Sequence, residues 1–172
     1  MIEAKRGWAN TVSTKQDYSE ILDGLGSRYE ALLNTYKPFA CGIVMHPAID
    51  AAIQLRNENR LTADQMERVE LKVHPLVLEL TGKKTPKDGL EGKFSIYHAV
   101  AVALVEGAGG EKQFSNQAVN EPTVVALRSK VIPVATPGID PAQVETRACE
   151  LGRREGREGA GRHSDPPLRA AG

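Results

Sequence analysis

The chain has 172 residues, with 22 basic residues balancing 22 acidic ones; that length suits one domain with a core of its own, or one domain and a tail. A formal net charge of zero leaves no electrostatic footprint for nucleic acid, and no apolar run reaches the roughly 18 residues of a membrane span. Cys41 and Cys149 are too few for a disulfide framework and lack zinc spacing, and MIEAKRGWAN has charges but no apolar stretch after them, so it does not read as a secretory signal. A reducing, cytoplasmic setting is the expectation.

Taken in chain order, the first 30 residues read as a loop followed by a helix over YSEILDGLGSRYEALLNT. Asp17 or Ser19 would cap it, and Gly24 and Gly26 interrupt it. Pro38 pushes Lys37 towards extended backbone. Pro47 suits the first turn of a helix, where its missing N–H costs nothing. Met45, Ala48, Ile49, Ala52, Ile53 and Arg56 then follow helical spacing and give one apolar stripe with a polar edge. Thr62 and Gln65 form a capping box, and Val69, Leu71 and Val73 alternate as in a strand.

HPLVLELTG is a further short apolar piece, and TGKKTPKDGLEG is a loop by its Gly, Pro and Lys content. KFSIYHAVAVALVEGAGG carries the strongest helix pattern. Ser95 can cap it, Ile96, Ala99, Val100, Ala103 and Leu104 form its face, and Gly107 stops it. EPTVVALRSKV reads as another helix with Pro122 near its start, and KVIPVAT as a strand. There is no internal repeat, Gly-rich nucleotide loop, HExxH or Gly-x-Ser-x-Gly. Interleaved helices and short strands predict an α+β fold, expected as a small antiparallel sheet with packed helices.

From Arg147 the composition changes. The last 26 residues hold six Arg, five Gly and four Ala, and no Val, Ile, Phe, Tyr or Trp. Too little apolar surface is on offer to offset the entropy of ordering such a chain, so a disordered tail is expected. A natural basic tail and a gene end read out of frame both fit this composition.

Three blocks, YKPFACGIVMHPAIDAAIQL, EGKFSIYHAVAVALVEG and VNEPTVVALRSKV, stand in the order and spacing of the MmgE/PrpD family. That family includes 2-methylcitrate dehydratase, cis-aconitate decarboxylase and iminodisuccinate epimerase. EAKRGW also resembles the family's approach to the lysine motif, and the likeness spans roughly residues 3 to 135. It implies a longer enzyme in which a large helical domain precedes a smaller α+β domain. Residues 1–34 then become the lead-in from the helical domain, 35–146 the C-terminal domain and 147–172 the tail. Where the family continues with a strand resembling VTVRLADGR, this chain has AQVETRACELGRR, which favours the out-of-frame reading of its end.

The resemblance also implies chemistry. Family members act on small di- or tricarboxylates without metal or other cofactor, moving a proton beside a carboxylate with loss of water, loss of carbon dioxide or inversion. That needs a positioned base, a proton donor and cations for the carboxylates. Lys37 matches a family lysine at the substrate site, and His46 a histidine common at this helix start. His98 stands where the decarboxylase branch has a tyrosine, and could take over proton transfer. Ser95 and Tyr97 would border the substrate, as would Cys41, read as a small buried thiol and not a nucleophile. Gly42 stands where the decarboxylase branch has a histidine, which argues against decarboxylation. His74 and His163 have no such support. The function implied is a 2-methylcitrate dehydratase-like lyase, incomplete alone, whose partners are the substrate and a missing helical domain or homodimer partner. An epimerase or isomerase branch member completed by a separate chain, and a non-catalytic truncated remnant or interaction module, are the alternatives.

Overall fold

The chain divides into two units, Met1–Tyr36 and Lys37–Gly172. The computed structural model describes residues 4–5, 7–15, 17–19, 23–140, 142–150 and 157–162, with backbone alone at 30, 147–150 and 157–162.

In the first unit a short helix, α1 (Trp8–Val12), stands where a loop is expected; Thr11 Oγ1 donates to Gly7 O at 3.0 Å in its only full turn. The expected cap appears as a local turn, with Ser19 N donating to Asp17 Oδ1 at 2.9 Å. Residues 20–22, which would continue that helix, lie outside the described residues. Gly24 and Gly26 take positive φ, 68° and 85°, and a 3₁₀ turn follows at Glu30–Leu33.

The second unit runs through a 3₁₀ turn (Ile43–Met45), α2 (His46–Asn59), β1 (Met66–Val73), α3 (Pro75–Thr81), α4 (Gly89–Gly92), α5 (Ile96–Glu106), α6 (Asn116–Val119), α7 (Pro122–Arg128), β2 (Val131–Ala135), β3 (Gln143–Glu150) and β4 (Arg157–Arg162). The fold is α+β, as expected. The capping box is present: Thr62 N donates to Gln65 Oε1 at 3.1 Å. Pro47 sits in the first turn of α2, which buries Ala48, Ile49, Ala51, Ala52 and Leu55. Val69, Leu71 and Val73 of β1 all point inward.

The sheet order is β2-β1-β3-β4, and it is mixed, which corrects the expected antiparallel arrangement. β1 and β2 are parallel, with Val69 opposite Val131 and Val73 opposite Ala135. The chain leaves β1, passes through five helices and re-enters from the same end, the long crossover a parallel pair requires. Pro133 lacks an N–H for a ladder, which suits β2 to its place at the sheet edge. β3 is antiparallel to β1, with Thr146 opposite Leu71, and β4 is antiparallel to β3.

Two stretches of the tail expected from Arg147 are described, both as backbone alone. β3 continues to Glu150, and Arg157–Arg162 pairs with it, Arg147 facing Glu158. Residues 151–156 and 163–172, His163 among them, lie outside the described residues.

Helix α5 is the centre of the unit. It packs against α2, α7 and β2, and eight of its eleven residues are buried. A helix enclosed on several sides must be slim, and Ala99, Ala101 and Ala103 supply that. Gly107 ends it in the left-handed region at φ 69°, its N–H donating to Ala103 O at 2.8 Å. Among the described residues no helix is long and apolar enough to cross a membrane.

Candidate functional site

The segment from Lys37 to Met45 approaches the start of α5. Ala40 N donates to Gly109 O at 3.0 Å, and Gly42 N donates to Lys93 O at 3.0 Å. These two bonds hold an otherwise irregular strip of chain against both ends of the region around α5. Ser95 lies two residues beyond Lys93 and also bridges to Gly82.

Lys37 is exposed, and its Nζ donates to the carbonyl of Cys41 at 3.4 Å. The Cys41 thiol is 5% exposed. Burial pushes it up to about 12, against the opposing pull of the Lys37 and Lys93 ammonium groups. It is therefore a protonated, structural thiol and no nucleophile at neutral pH. The Cys149 side chain lies outside the described residues.

Lys93 is half-buried and was not singled out by the sequence. Its only local signal is a place two residues before a helix cap, and its importance comes from the bond to Gly42. Among the described residues neither Lys37 nor Lys93 has a carboxylate within ion-pair distance. Lys72 does, in Glu145 at 2.8 Å, and so does Lys83, in Glu91.

His46 opens α2 and is 1% exposed. Its ring meets Phe39 edge-on, with centroids 5.4 Å apart. Phe39 in turn lies over Gly109, where an added Cβ would come within 2.8 Å of its ring.

His98 is wholly buried. Its backbone N–H donates to Ser95 Oγ at 3.1 Å, so Ser95 is the cap of α5 and is itself enclosed. The His98 ring meets Phe114 edge-on at 5.5 Å, and its Nε2 lies 2.9 Å from Gln113 O. A carbonyl only accepts, so Nε2 carries the proton. Burial holds the imidazole below its usual pKa; the Gln113 carbonyl and Glu106 oppose that effect, and the Arg128 charge adds to it. Tyr97 is half-buried against the core. His74 accepts from Leu76 N at 3.1 Å and caps α3.

The structure thus brings Lys37, Cys41 and the Lys93–Ser95 entrance to α5 together. The rings of His46 and His98 are instead enclosed within the unit. The exposed Lys37 ammonium, held at Cys41 O beside a neutral thiol, can bind anions. Among the described residues no group of three His, Cys, Asp or Glu side chains is placed to hold a metal ion.

Residues 39–162 match the family model described as the MmgE/PrpD C-terminal domain. A search of curated proteins returns no match. The family match begins within the Lys37–Met45 segment, includes α5 with its cap, and runs to the end of β4. It covers well over half of the chain, which therefore belongs to the MmgE/PrpD family through its C-terminal domain.

Proposed function

We propose that this chain contributes the C-terminal domain of a dehydratase-like lyase acting on small di- or tricarboxylates, of which 2-methylcitrate is the leading substrate. The reaction removes a proton beside a carboxylate and expels water from the neighbouring carbon. Lys37 binds a substrate carboxylate or moves the proton. His98 sets the start of α5 through its contacts with Gln113 and Phe114, and His46 fixes Phe39 at the entrance to α2.

The observation that carries this reading is the exposed Lys37, whose ammonium reaches Cys41 O on the strip of chain before α2 and has no acidic partner among the described residues. Unpaired cations suit substrates that are polyanions. The proton chemistry needs a second group, and both histidines are enclosed. The remaining groups then come from a helical domain on another part of the enzyme or another chain. Ile43, Leu80 and Phe94 support an additional apolar partner, being 53%, 52% and 51% exposed.

The test is reconstitution. The purified chain is mixed with the helical domain of a 2-methylcitrate dehydratase lacking its own C-terminal domain, and water elimination from 2-methylcitrate is followed. Turnover in the mixture and in neither component alone is expected. Robust turnover by this chain alone, or none in a mixture that forms a stable complex, would overturn the proposal.

A further inference from the structure

Lys37 is exposed, and its ammonium makes one long hydrogen bond, to Cys41 O at 3.4 Å. Among the described residues the backbone of residues 37–39 makes no hydrogen bond. The place of this lysine is therefore not set by its own contacts. Pro38 hands that task to the next residue. Its φ is fixed, it has no N–H, and it holds the residue before it in extended backbone. Lys37-Pro38-Phe39 is thus a stiff tripeptide, and fixing one end places the other.

Phe39 is the end that is fixed. Its ring packs against the core and meets the His46 ring edge-on, with centroids 5.4 Å apart. His46 opens α2 and is fully enclosed, which makes it a firm backing. The ring also lies against Gly109, just beyond the end of α5, where an added Cβ would stand 2.8 Å from Phe39 Cδ1. Gly109 does not adopt a positive φ, so the space taken by the ring, and not backbone conformation, calls for glycine there. The carbonyl of the same glycine accepts from Ala40 N at 3.0 Å. The ring of Phe39 and the backbone of Ala40 are both seated on Gly109.

We propose that Phe39 is the positioning residue for Lys37: His46 and Gly109 form a seat for its ring, and Pro38 carries that placement back to the lysine. This rests on the reading of Lys37 as the lysine that faces substrate, and adds what aims it. Phe39→Ala keeps the lysine and its charge but frees the tripeptide. Gly109→Ala reaches the same contact from the other side, by pushing the ring out of its seat.

The test has two arms. The first is NMR on the full chain. Phe39→Ala should speed amide exchange at Ala40 by about tenfold or more and lower the ¹⁵N heteronuclear NOE of Lys37. Exchange at Gly42 and Ala99, whose N–H groups donate to Lys93 O and Ser95 O, should stay within about twofold. Phe39→Leu, which keeps the apolar bulk, should recover most of the protection at Ala40. The second arm is a double-mutant cycle on kcat/KM for 2-methylcitrate in the reconstituted enzyme. Phe39→Ala should lower it about tenfold. In a Lys37→Ala background the same change should cost less than about twofold, because a residue acting only through Lys37 has nothing left to aim. A merely structural role would lower both backgrounds equally. Should Phe39→Ala fail to fold, Gly109→Ala carries both arms. Unchanged exchange at Ala40, an unchanged NOE at Lys37, exchange that rises equally at all three amides, or a full tenfold loss persisting without Lys37 would overturn the proposal. The first arm involves no turnover, so failed reconstitution with selective loosening of Lys37 and Ala40 would refute the lyase reading and leave the seat standing.

Discussion

His98 Nε2 lies 2.9 Å from the carbonyl oxygen of Gln113, and this one contact fixes the state of a fully buried imidazole. Nε2 donates, so Nδ1 carries the lone pair, and among the described residues Nδ1 has no hydrogen-bond partner. Protonation would place an N–H there with nothing to accept it, beside the charge of Arg128, itself held by Val119 O at 3.1 Å. Glu106 is the acidic group that opposes this, and its carboxylate is already engaged by Gln113 Nε2 at 2.6 Å.

The pH dependence of stability follows. The pKa of His98 is lowered by folding, so below the ordinary histidine value near 6.5 the unfolded chain takes up a proton that the folded chain resists. The stability contributed is fully present above that value and is lost as pH falls through it towards the folded pKa. Urea midpoints should therefore decline from about pH 7 to about pH 5. His98→Gln, whose amide can still donate to Gln113 O, should show a shallower decline. An identical decline in both proteins would mean that His98 is not the group responsible.

Two glycines near Lys37 should respond oppositely to alanine. Gly42 has φ −60° and ψ 130°, ordinary for any residue, and its nearest Cβ contacts are at 3.5 Å. Gly42→Ala should change stability by less than about 0.5 kcal/mol. A Cβ on Gly109 would stand 2.8 Å from both Ile49 Cγ2 and Phe39 Cδ1. Gly109→Ala should cost about 1–3 kcal/mol, by forcing Phe39 off His46. Equal urea midpoints for the two variants would contradict this packing.

Ser95 separates a structural role from a substrate-binding one. Its oxygen is buried and caps α5 at His98 N. Ser95→Ala should lower stability by about 1 kcal/mol, and in the reconstituted enzyme should leave the KM for 2-methylcitrate within about twofold. A large rise in KM with unchanged urea stability would instead place Ser95 against substrate.

How much of this was legible in the sequence depended on how local its cause is. The cap of α5 at Ser95, its stop at Gly107 and the Thr62–Gln65 box are all settled within a few residues. The alternation of Val69, Leu71 and Val73 likewise marks β1 without reference to a partner. The parallel pairing of β1 with β2 is a long-range event, and no residue in either strand announces it. β3 did carry a signal: Val144 and Thr146 alternate and are 3% and 2% exposed. That alternation is short and runs into Arg- and Gly-rich chain, whose composition pointed to disorder. At the candidate site, Lys37 and Cys41 are neighbours in sequence and were readable together. Lys93 joins them only through the Gly42 backbone bond, which no spacing reveals.

The central claim is that Lys37 serves chemistry and not folding, and Lys37→Ala in the reconstituted enzyme tests it most directly. Its side chain is exposed and makes one long hydrogen bond, to Cys41 O at 3.4 Å. Urea stability should move by less than about 0.5 kcal/mol. Turnover of 2-methylcitrate should fall by roughly 10² to 10⁴. Unchanged turnover, or a loss of turnover matched by a loss of stability, would contradict the account.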